Sequence, residues 1–342
     1  MEIARPLSLP RSGDKHVASI LPGLAAALAV AAVAWPLGRA LPMLGAPVVA
    51  LALGIAVAAV RRPGVRTAPG LAFSGRYVLQ AAIVALGGTL SLGQVASVGR
   101  STVPVMVGTL AIALAVAAVA GRLLGVPGRL RALVGVGTGI CGASAIGAVS
   151  GIVRATEAEI AYAVSTIFVF NLVAVVLFPP LGHLLGLDQS AFGLWAGTAV
   201  NDTSSVVAAA YAYGDAAGVQ AVIVKLTRTT MIVPIAAALA FAVARLGGGS
   251  QGVRWTKTVP WFLVWFAAAA ALETAGAVPA AAADGLRQLA IVLTAVALGA
   301  IGLSTRLGEL RRAGARPLLL GTLVWASVAV GSLVLQRLSG AW

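Results

Sequence analysis

The stretch Gly197–Ala210, which reads GTAVNDTSSVVAAA, interrupts a long apolar run with a group of polar residues. Apolar sequence leads into it from Phe192 and continues to Tyr213. Residues 201–205, however, are five consecutive polar residues that include Asp202. Lipid offers no hydrogen-bond partners to such side chains or to an irregular backbone. We therefore predict that this stretch is buried in protein or lines a wet cavity.

The polar centre of the stretch predicts a broken helix, because Asp, Thr and Ser are favoured at helix N-caps. We expect a half-helix to restart at Thr203 or Ser204, with its free N–H groups pointing into the membrane interior. Asp202 then has two interpretations. It is either a structural N-cap or a carboxylate that takes up a proton and couples it to transport. Its neutral neighbours Asn201, Thr203, Ser204 and Ser205 are candidates to hydrogen-bond a substrate or the broken helix itself.

The composition of the whole chain is that of a polytopic membrane protein. Its 342 residues are 60% hydrophobic and 10% charged, with a mean hydropathy of +0.99. We predict an all-α polytopic membrane protein with about 9–11 transmembrane helices and two re-entrant or broken helices in inverted-topology repeats. The apolar segments cover about residues 17–37, 46–60, 70–90, 101–121, 130–153, 158–181, 190–213, 216–244, 258–278, 284–304 and 315–336.

The net charge of +14 comes from basic residues in short clusters between these segments. Such clusters are typical of loops that follow the positive-inside rule, so we expect no nucleic-acid partner. With the N-terminus inside, sixteen Lys and Arg residues fall on the cytoplasmic side and five outside, which predicts an external C-terminus. We expect a cytoplasmic N-terminal segment, residues 1–16, and a single transmembrane transporter domain, residues 17–342, with repeat-like halves of about 46–185 and 186–337.

Two internal repeats indicate inverted symmetry. VALGGTLSLGQ at residues 84–94 resembles VALGAIGLSTR at 296–306, and GTGICGASAI at 137–146 aligns with GTAVNDTSSV at 197–206. The fifth and seventh segments would run in the same direction if both crossed the membrane. As re-entrant hairpins they would enter from opposite faces, as an inverted repeat requires. The sequence leaves two fully spanning broken helices as the alternative.

The fifth segment is a second candidate for irregular backbone within the membrane. Glycine permits unusual dihedral angles and lets a ligand approach the main chain. The alternative is close packing of helices through small residues. The alignment with the seventh segment favours a substrate-binding role for glycines and small polar residues here. The candidates are Thr138, Gly139, Cys141, Gly142 and Ser144.

Lys225 and Arg228 lie within the eighth apolar segment and share one helix face, since they are three residues apart. A cation at the centre of a bilayer costs roughly 2.5–3.5 kcal/mol on insertion scales, so we expect both to be buried in protein. A structural ion pair with Asp202 would use only one of them. The remaining positive charge predicts an anionic substrate, with Lys225 and Arg228 among its ligands.

Three other polar residues within apolar segments are weaker candidates. Asn171 can form a hydrogen bond across helices, and packing in the core is the alternative. Arg76 can extend its side chain to the cytoplasmic interface, and Gln80 lies one turn deeper, where it would line the path.

The sequence gives little support to an enzyme. Ser144 lies within GASAIG, which superficially resembles a serine nucleophile motif. A nucleophilic serine needs a base within hydrogen-bond reach, whereas the two histidines, His16 and His183, lie near segment ends. We find no phosphate-binding loop and no metal-ligand cluster, and we expect no enzymatic activity, cofactor or bound metal.

The motifs GTGICGASAI and GTAVNDTSSVVAAA, with the run Lys225–Arg228, resemble the YeiH-type family of bacterial inner-membrane proteins, which bear the name of sulfate exporters. The resemblance covers nearly the whole chain after residue 16. It implies a relative of the cation/proton antiporter and anion transporter superfamily that transports sulfate, sulfite or a small sulfonate. Family members often have His at the position of Asn201 and Gln at that of Ser205, so no titrating imidazole can act there in this chain.

We therefore expect a multi-pass protein of the bacterial inner membrane that carries a small oxyanion by secondary active transport. Alternating access, coupling to protons through Asp202 and export are the expected mechanism and direction. A passive anion channel is the alternative, and a non-transporting membrane scaffold is another. The expected partners are the small anionic solute and the lipid bilayer, and the fold allows a homodimer.

Overall fold

A computed structural model describes residues 13–40, 45–61, 63–245, 261–304 and 315–342. Within these ranges the regular structure is helical and contains no β-strand, which confirms the predicted all-α membrane fold. Of the described helices, seven are long and apolar enough to cross a membrane, and two shorter ones are also apolar. Most of the predicted cytoplasmic segment, residues 1–16, lies outside the described residues.

The described helices follow the predicted segments, and the fifth and seventh segments are each divided in two. The first part of the chain forms α1 (Gly13–Ala40), α2 (Gly45–Val60), α3 (Ala68–Phe73), a π-helical turn (Ser74–Val78), α4 (Leu79–Gly87) and α5 (Leu92–Leu123). The centre forms α6 (Gly128–Gly139), α7 (Ala143–Ser150), α8 (Glu157–Leu184), α9 (Gln189–Ala199) and α10 (Thr203–Tyr213). The last part forms α11 (Asp215–Thr230), α12 (Ile232–Arg245), α13 (Trp261–Thr274), α14 (Ala280–Ser304) and α15 (Ala315–Leu338).

Two helices differ from the sequence expectation for local reasons. α5 begins earlier than predicted because Ser91 and Gln94 form a capping box. The Gln94 amide donates to Ser91 Oγ at 3.2 Å, and the Ser91 amide donates to Gln94 Oε1 at 3.0 Å. The eighth segment is divided between α11 and α12 at Met231. Pro234 lies in the first turn of α12 and has no N–H to donate to the fourth carbonyl before it.

The break in the seventh segment reverses the direction of the chain. Tyr213, at the end of α10, returns to the start of α9. Its ring stacks on Phe192 with centroids 3.8 Å apart, and its hydroxyl donates to the carbonyl of Leu187. In one continuous helix these two rings would lie roughly 30 Å apart, at about 1.5 Å per residue. α9 and α10 therefore form a re-entrant hairpin.

The starts of α6 and α15 lie at one face of the protein. Gly121, near the end of α5, packs against the side chains of Arg131 in α6 and Leu320 in α15. Arg122 and Arg129 belong to the same connection between α5 and α6. We call this the inner face, which the positive charges predict to be cytoplasmic, and the opposite side the outer face.

α8 also begins at the inner face, so the fifth segment must enter the protein and return. α15 and α8 run in parallel, since Gly321 packs against Thr166, and Trp325 stacks on Phe178 with centroids 5.8 Å apart. α6 and α7 therefore form a hairpin that opens to the inner face, whereas the α9–α10 hairpin opens to the outer face. Of the two alternatives left by the sequence, the structure has the opposed hairpins.

The described helices form two bundles. The hairpin bundle contains the two hairpins with α5, α8, α11, α12 and α15. The second bundle contains α1, α2, α13, α14 and the helix made of α3, the π-helical turn and α4. The bundles meet mainly through apolar side chains, for example where Ala208 of α10 packs with Leu51 of α2 and Leu298 of α14. The amide of Leu92 in α5 also donates a hydrogen bond to Thr274 Oγ1 of α13 at 2.7 Å.

The opposed hairpins predict which residues an impermeant reagent can reach from each side. In a Cys141→Ser background, cysteines that replace Arg129 and Ala158 should react from one side of the membrane, and cysteines that replace Ser190 and Ala216 from the other. Labelling with an impermeant maleimide, before and after permeabilisation, measures this. Fully spanning broken helices would put residues 129 and 158 on opposite sides, and that result would contradict the hairpins.

The contact between α2 and α14 predicts that Gly302 has no room for a side chain. A Cβ there would lie 3.0 Å from the Cα of Gly54 and closer still to the carbonyl oxygen of Leu51. We expect Gly302→Ala to lower the melting temperature of the purified protein by several degrees, since overpacking costs about 1–3 kcal/mol. Gly285→Ala in the same helix is the control, because nothing lies within 4 Å of the added methyl group. Equal melting temperatures for the two variants would rule out the tight contact.

Candidate functional site

The tips of the two hairpins are in contact within the hairpin bundle. Gly142 follows the break between α6 and α7 with a φ of +68°, which glycine adopts without a steric penalty. A Cβ on Gly142 would lie 3.5 Å from the Cβ of Asp202 and 3.6 Å from the carbonyl carbon of Asn201. The two polar motifs that the sequence alignment paired are therefore neighbours in space.

Lys225 of α11 bridges the two tips. Its ammonium donates hydrogen bonds to the carbonyl of Ile140 in the first hairpin and to that of Val200 in the second, both at 2.9 Å. The Lys225 side chain is 0% exposed. One cation therefore provides a donor to the C-cap carbonyl of α6 and to that of α9, neither of which has a helical partner.

Arg228, one turn further along α11, bridges the same tips through its guanidinium. Nε donates to the carbonyl of Gly139 at 2.7 Å, and Nη2 donates to that of Thr138 at 3.0 Å. Nη1 donates to the carbonyl of Thr198 in the other hairpin. Arg228 is also 0% exposed. Its planar arrangement of donors suits several carbonyls at once, which a lysine in its place would not match.

The structure replaces the ion pair considered from the sequence with bonds to the backbone. Among the described residues, neither Lys225 nor Arg228 forms an ion pair with Asp202. Two helices, α6 and α9, end at the tips and two others, α7 and α10, begin there. The partial charges of these helix ends sum to about zero over the tips as a whole, although each end acts on the groups beside it. Counted as formal charges, the side chains of Lys225, Arg228 and Asp202 sum to about +1 near the tips.

Asp202 caps the N-terminus of α10, and this confirms the predicted restart of the helix at Thr203. Its Oδ1 accepts a hydrogen bond from the amide of Ser205 at 3.2 Å, and its Oδ2 accepts one from the hydroxyl of Ser204. A carboxylate at a helix N-terminus is favoured by the helix dipole. The capping role is thus present, and it is compatible with a coupling role because the carboxylate also lines a cavity.

This cavity, of about 30 Å³, lies between the two bundles. The hairpin bundle contributes both polar and apolar lining residues, and the second bundle contributes apolar ones. The polar residues are Asn171, Asp202, Ser204 and Ser205, and the apolar residues of the second bundle are Leu51, Leu298 and Ile301. The volume is enough for one or two water molecules. A larger solute therefore requires the bundles to move apart.

Asn171 connects this cavity to the tip of the second hairpin. Its Oδ1 accepts a hydrogen bond from the amide of Asn201 at 3.0 Å, so the predicted bond across helices is present. Asn201 is 1% exposed, and its own Oδ1 has no hydrogen-bond partner among the described residues. The tip therefore contains one buried acceptor whose partner the described chain does not supply.

The predicted site residues divide into groups. Asp202, Ser204 and Ser205 line the cavity, together with the weaker candidate Asn171. Thr138, Gly139, Cys141, Gly142, Asn201, Lys225 and Arg228 are buried at the tips. Thr203 is half-buried at the start of α10, whereas Ser144 is exposed on α7. Arg76 is exposed with its guanidinium 5.3 Å from the ring centre of Tyr77, Gln80 is half-buried, and neither lines the cavity.

Sequence reasoning did not identify a polar contact between α9 and α15. Thr198 Oγ1 lies 2.7 Å from Ser332 Oγ, and Gln336 Nε2 donates to Ser332 Oγ at 3.1 Å. All three residues are fully buried. The signal was available, since Ser332 and Gln336 are four residues apart in a mostly apolar helix and so share a face. This contact supports the residue whose carbonyl binds Arg228.

Comparison with known proteins finds close relatives along almost the whole chain. A family model with the description conserved hypothetical protein 698 matches residues 22–321. A UPF0324 membrane protein of Streptococcus pyogenes serotype M6 is 40% identical over 333 residues, which cover 94% of this chain and 98% of the relative. A UPF0324 membrane protein of Streptococcus agalactiae serotype V is 39% identical over 330 residues, with the same coverage of 94% and 98%. No solved structure matches the chain significantly.

The hydrogen bonds of Arg228 predict a large loss of stability when it is replaced. Arg228→Gln cannot supply all three donors, and each buried carbonyl without a partner costs about 1–3 kcal/mol. We expect a lower melting temperature and a lower yield of monodisperse protein, measured by thermal melting and size-exclusion chromatography. Arg337→Gln is the control, because that guanidinium is exposed and lies over the ring of Trp342. A variant at position 228 as stable as this control would show that the carbonyls do not need their donors.

Proposed function

Because the chain belongs to the family of conserved hypothetical protein 698, the YeiH-type family that its motifs resemble, we propose that this membrane protein is a secondary transporter of a small oxyanion. Sulfate, sulfite and small sulfonates are the first solutes to test, and the net direction is set by the combined gradients of the anion and the proton. The orientation we propose has the N-terminus in the cytoplasm and the C-terminus outside.

The contact between two opposed hairpins beside a cavity that Asp202, Ser204 and Ser205 help to line is the observation that carries the proposal. Irregular backbone at this depth is tolerated where it is buried in protein or lines a cavity. Transporters use such breaks to present helix termini to a solute from both sides of the membrane. Here the cavity lies at the N-terminus of α10, where free N–H groups favour negative charge.

The charge at the tips supports an anion rather than a cation as the solute. Lys225 and Arg228 do not line the cavity, and their bonds go to backbone carbonyls. Their contribution is therefore the positive potential of two buried charges, of which Asp202 neutralises one. Such a potential acts over several ångströms in an interior of low dielectric constant. We assign direct contacts with the anion to Ser204, Ser205 and Asn171.

Asp202 is the proposed coupling residue because it already occupies the position that favours an anion. Its carboxylate accepts the amide hydrogen of Ser205 and the hydroxyl hydrogen of Ser204. Proton uptake by Asp202 weakens its hold on these donors and removes a negative charge, and both effects favour a bound anion. By linkage, anion binding favours the protonated carboxyl to the same extent.

Alternating access is proposed to occur by movement of the hairpin bundle relative to the second bundle. The wall that faces Asp202 from the second bundle consists of Leu51, Leu298 and Ile301. Apolar side chains form no directional bonds with the polar lining residues, so the contact can break without leaving unpaired donors. The cavity is too small for an oxyanion, and the solute therefore enters in a conformation in which the bundles have separated.

The coupling role predicts a specific defect in Asp202→Asn. In proteoliposomes with wild-type protein, an imposed pH gradient should drive radiolabelled sulfate or sulfite against its concentration gradient. Asp202→Asn should retain exchange or downhill flux. Its uphill accumulation of the anion should be at least about tenfold lower than that of wild type, because the amide cannot take up the proton. Asp215→Asn is the control, since that carboxylate is exposed at the start of α11 and lies outside the cavity.

The same assay separates the proposal from its alternatives. Flux of wild-type protein that follows only the electrochemical gradient of the anion would indicate a passive channel. Absence of flux for every oxyanion tested, with correctly folded protein, would indicate a non-transporting scaffold. Full uphill accumulation by Asp202→Asn would show that another group carries the proton.

A further inference from the structure

We propose that the junction between the hairpin tips is a binding site for a monovalent cation and that the ammonium of Lys225 occupies it. The site consists of the carbonyls of Ile140 and Val200, one from each hairpin, both 2.9 Å from Nζ. It is separate from the cavity assigned to the anion, because neither carbonyl residue lines that cavity.

The donors at this junction are of the kind that bind cations. Backbone carbonyl oxygens replace the hydration shell of alkali ions in selective sites. The carbonyls of Ile140 and Val200 stand at the C-terminal ends of α6 and α9, where the helix dipoles add negative potential. A lysine ammonium is a compact point charge of similar chemistry to a free ammonium ion. The chain thus supplies its own cation to these oxygens.

Lys225 and Arg228 bind different carbonyls, so the oxygens around the Lys225 ammonium form a site of their own. Arg228 takes the carbonyls of Thr138, Gly139 and Thr198, so these are not available to another ion. Asn201, which follows Val200, has a buried Oδ1 without a partner among the described residues. A cation that replaced the ammonium would therefore find the two carbonyls of Ile140 and Val200 without another donor.

The site of Lys225 differs from an ordinary buried ion pair in what remains when the lysine is removed. Lys225 forms no ion pair with an acidic side chain in the described part of the chain, so its removal leaves neutral carbonyls and not an unpaired carboxylate. Neutral carbonyls without donors attract a small cation but give no site to an anion. Where the transport proposal holds, it follows that Na⁺ is not required, because its place is filled by Lys225.

Rescue of Lys225→Ala by a free cation tests the site, and it does not depend on transport activity. The purified variant should melt at least about 5 °C below wild type, because two buried carbonyls have lost their donor. Ammonium chloride should raise its melting temperature with a saturating dose response, while choline chloride at equal ionic strength should not, since choline is too large for the junction. Wild type should respond equally to ammonium, sodium and choline chlorides.

Lys225→Met is the matched control, because its side chain fills the space of the lysine and leaves no room for an ion. Rescue of Lys225→Met equal to that of Lys225→Ala would mean a general salt effect and would overturn the proposal. So would a Lys225→Ala variant that stays unfolded or unchanged in ammonium chloride. Saturable, sodium-specific stabilisation of wild type would also overturn it, since that result requires a vacant site. Failure of the Asp202→Asn transport assay, by contrast, would leave the cation site intact.

Discussion

Backbone carbonyls that lack helical partners need hydrogen-bond donors in an apolar interior, and this constraint governs the centre of the protein. α6 and α9 both end there, and the carbonyls of five residues receive their hydrogen bonds from only two side chains, Lys225 and Arg228. Five unpaired carbonyls would cost roughly 5–15 kcal/mol, which equals the whole stability of a typical domain. Lys225 and Arg228 therefore stabilise both breaks by supplying the donors that these carbonyls lack.

The same bonds explain why the hairpins belong to one body. Lys225 and Arg228 lie one turn apart on α11, and each binds carbonyls from both tips, so neither hairpin can shift without breaking bonds to the other. The contact between Thr198 and Ser332 adds α15 to this body. The side chains that the second bundle contributes to the cavity are those of leucine and isoleucine, which form no hydrogen bonds. In the proposed function, movement of one bundle against the other therefore breaks mainly apolar contacts at the cavity and leaves the hydrogen bonds of the tips intact.

The parts of this arrangement that are local in sequence could be predicted, and the parts that depend on tertiary contact could not. Polar residues in an apolar run revealed the break, and N-cap chemistry located the restart beside Asp202. Charged residues in an apolar segment revealed Lys225 and Arg228 but not their hydrogen-bond partners. Every residue has a backbone carbonyl, so the sequence does not show which carbonyls accept these bonds. The reversal of the chain depends on contacts such as that of Phe192 with Tyr213, which no local pattern encodes. The apolar wall that the second bundle contributes to the cavity consists of leucine and isoleucine. Because these residue types are also common on a lipid-facing surface, the sequence does not distinguish the two locations.

The charged side chains that stabilise the breaks also influence whether the proposed solute is an anion or a cation. The partial charges of the four half-helix ends sum to about zero over the tips as a whole, so the balance depends on two fixed cations and one carboxylate that can take up a proton. With Asp202 ionised the tips carry a charge of about +1, and with Asp202 protonated about +2. A cation entering the cavity would face a positive potential in both states, whereas an anion would be favoured in both and more strongly in the second. In the proposed function, proton and anion therefore stabilise each other's binding. This depends on the placement of Asp202 at the start of α10 and does not require either cation to touch the solute.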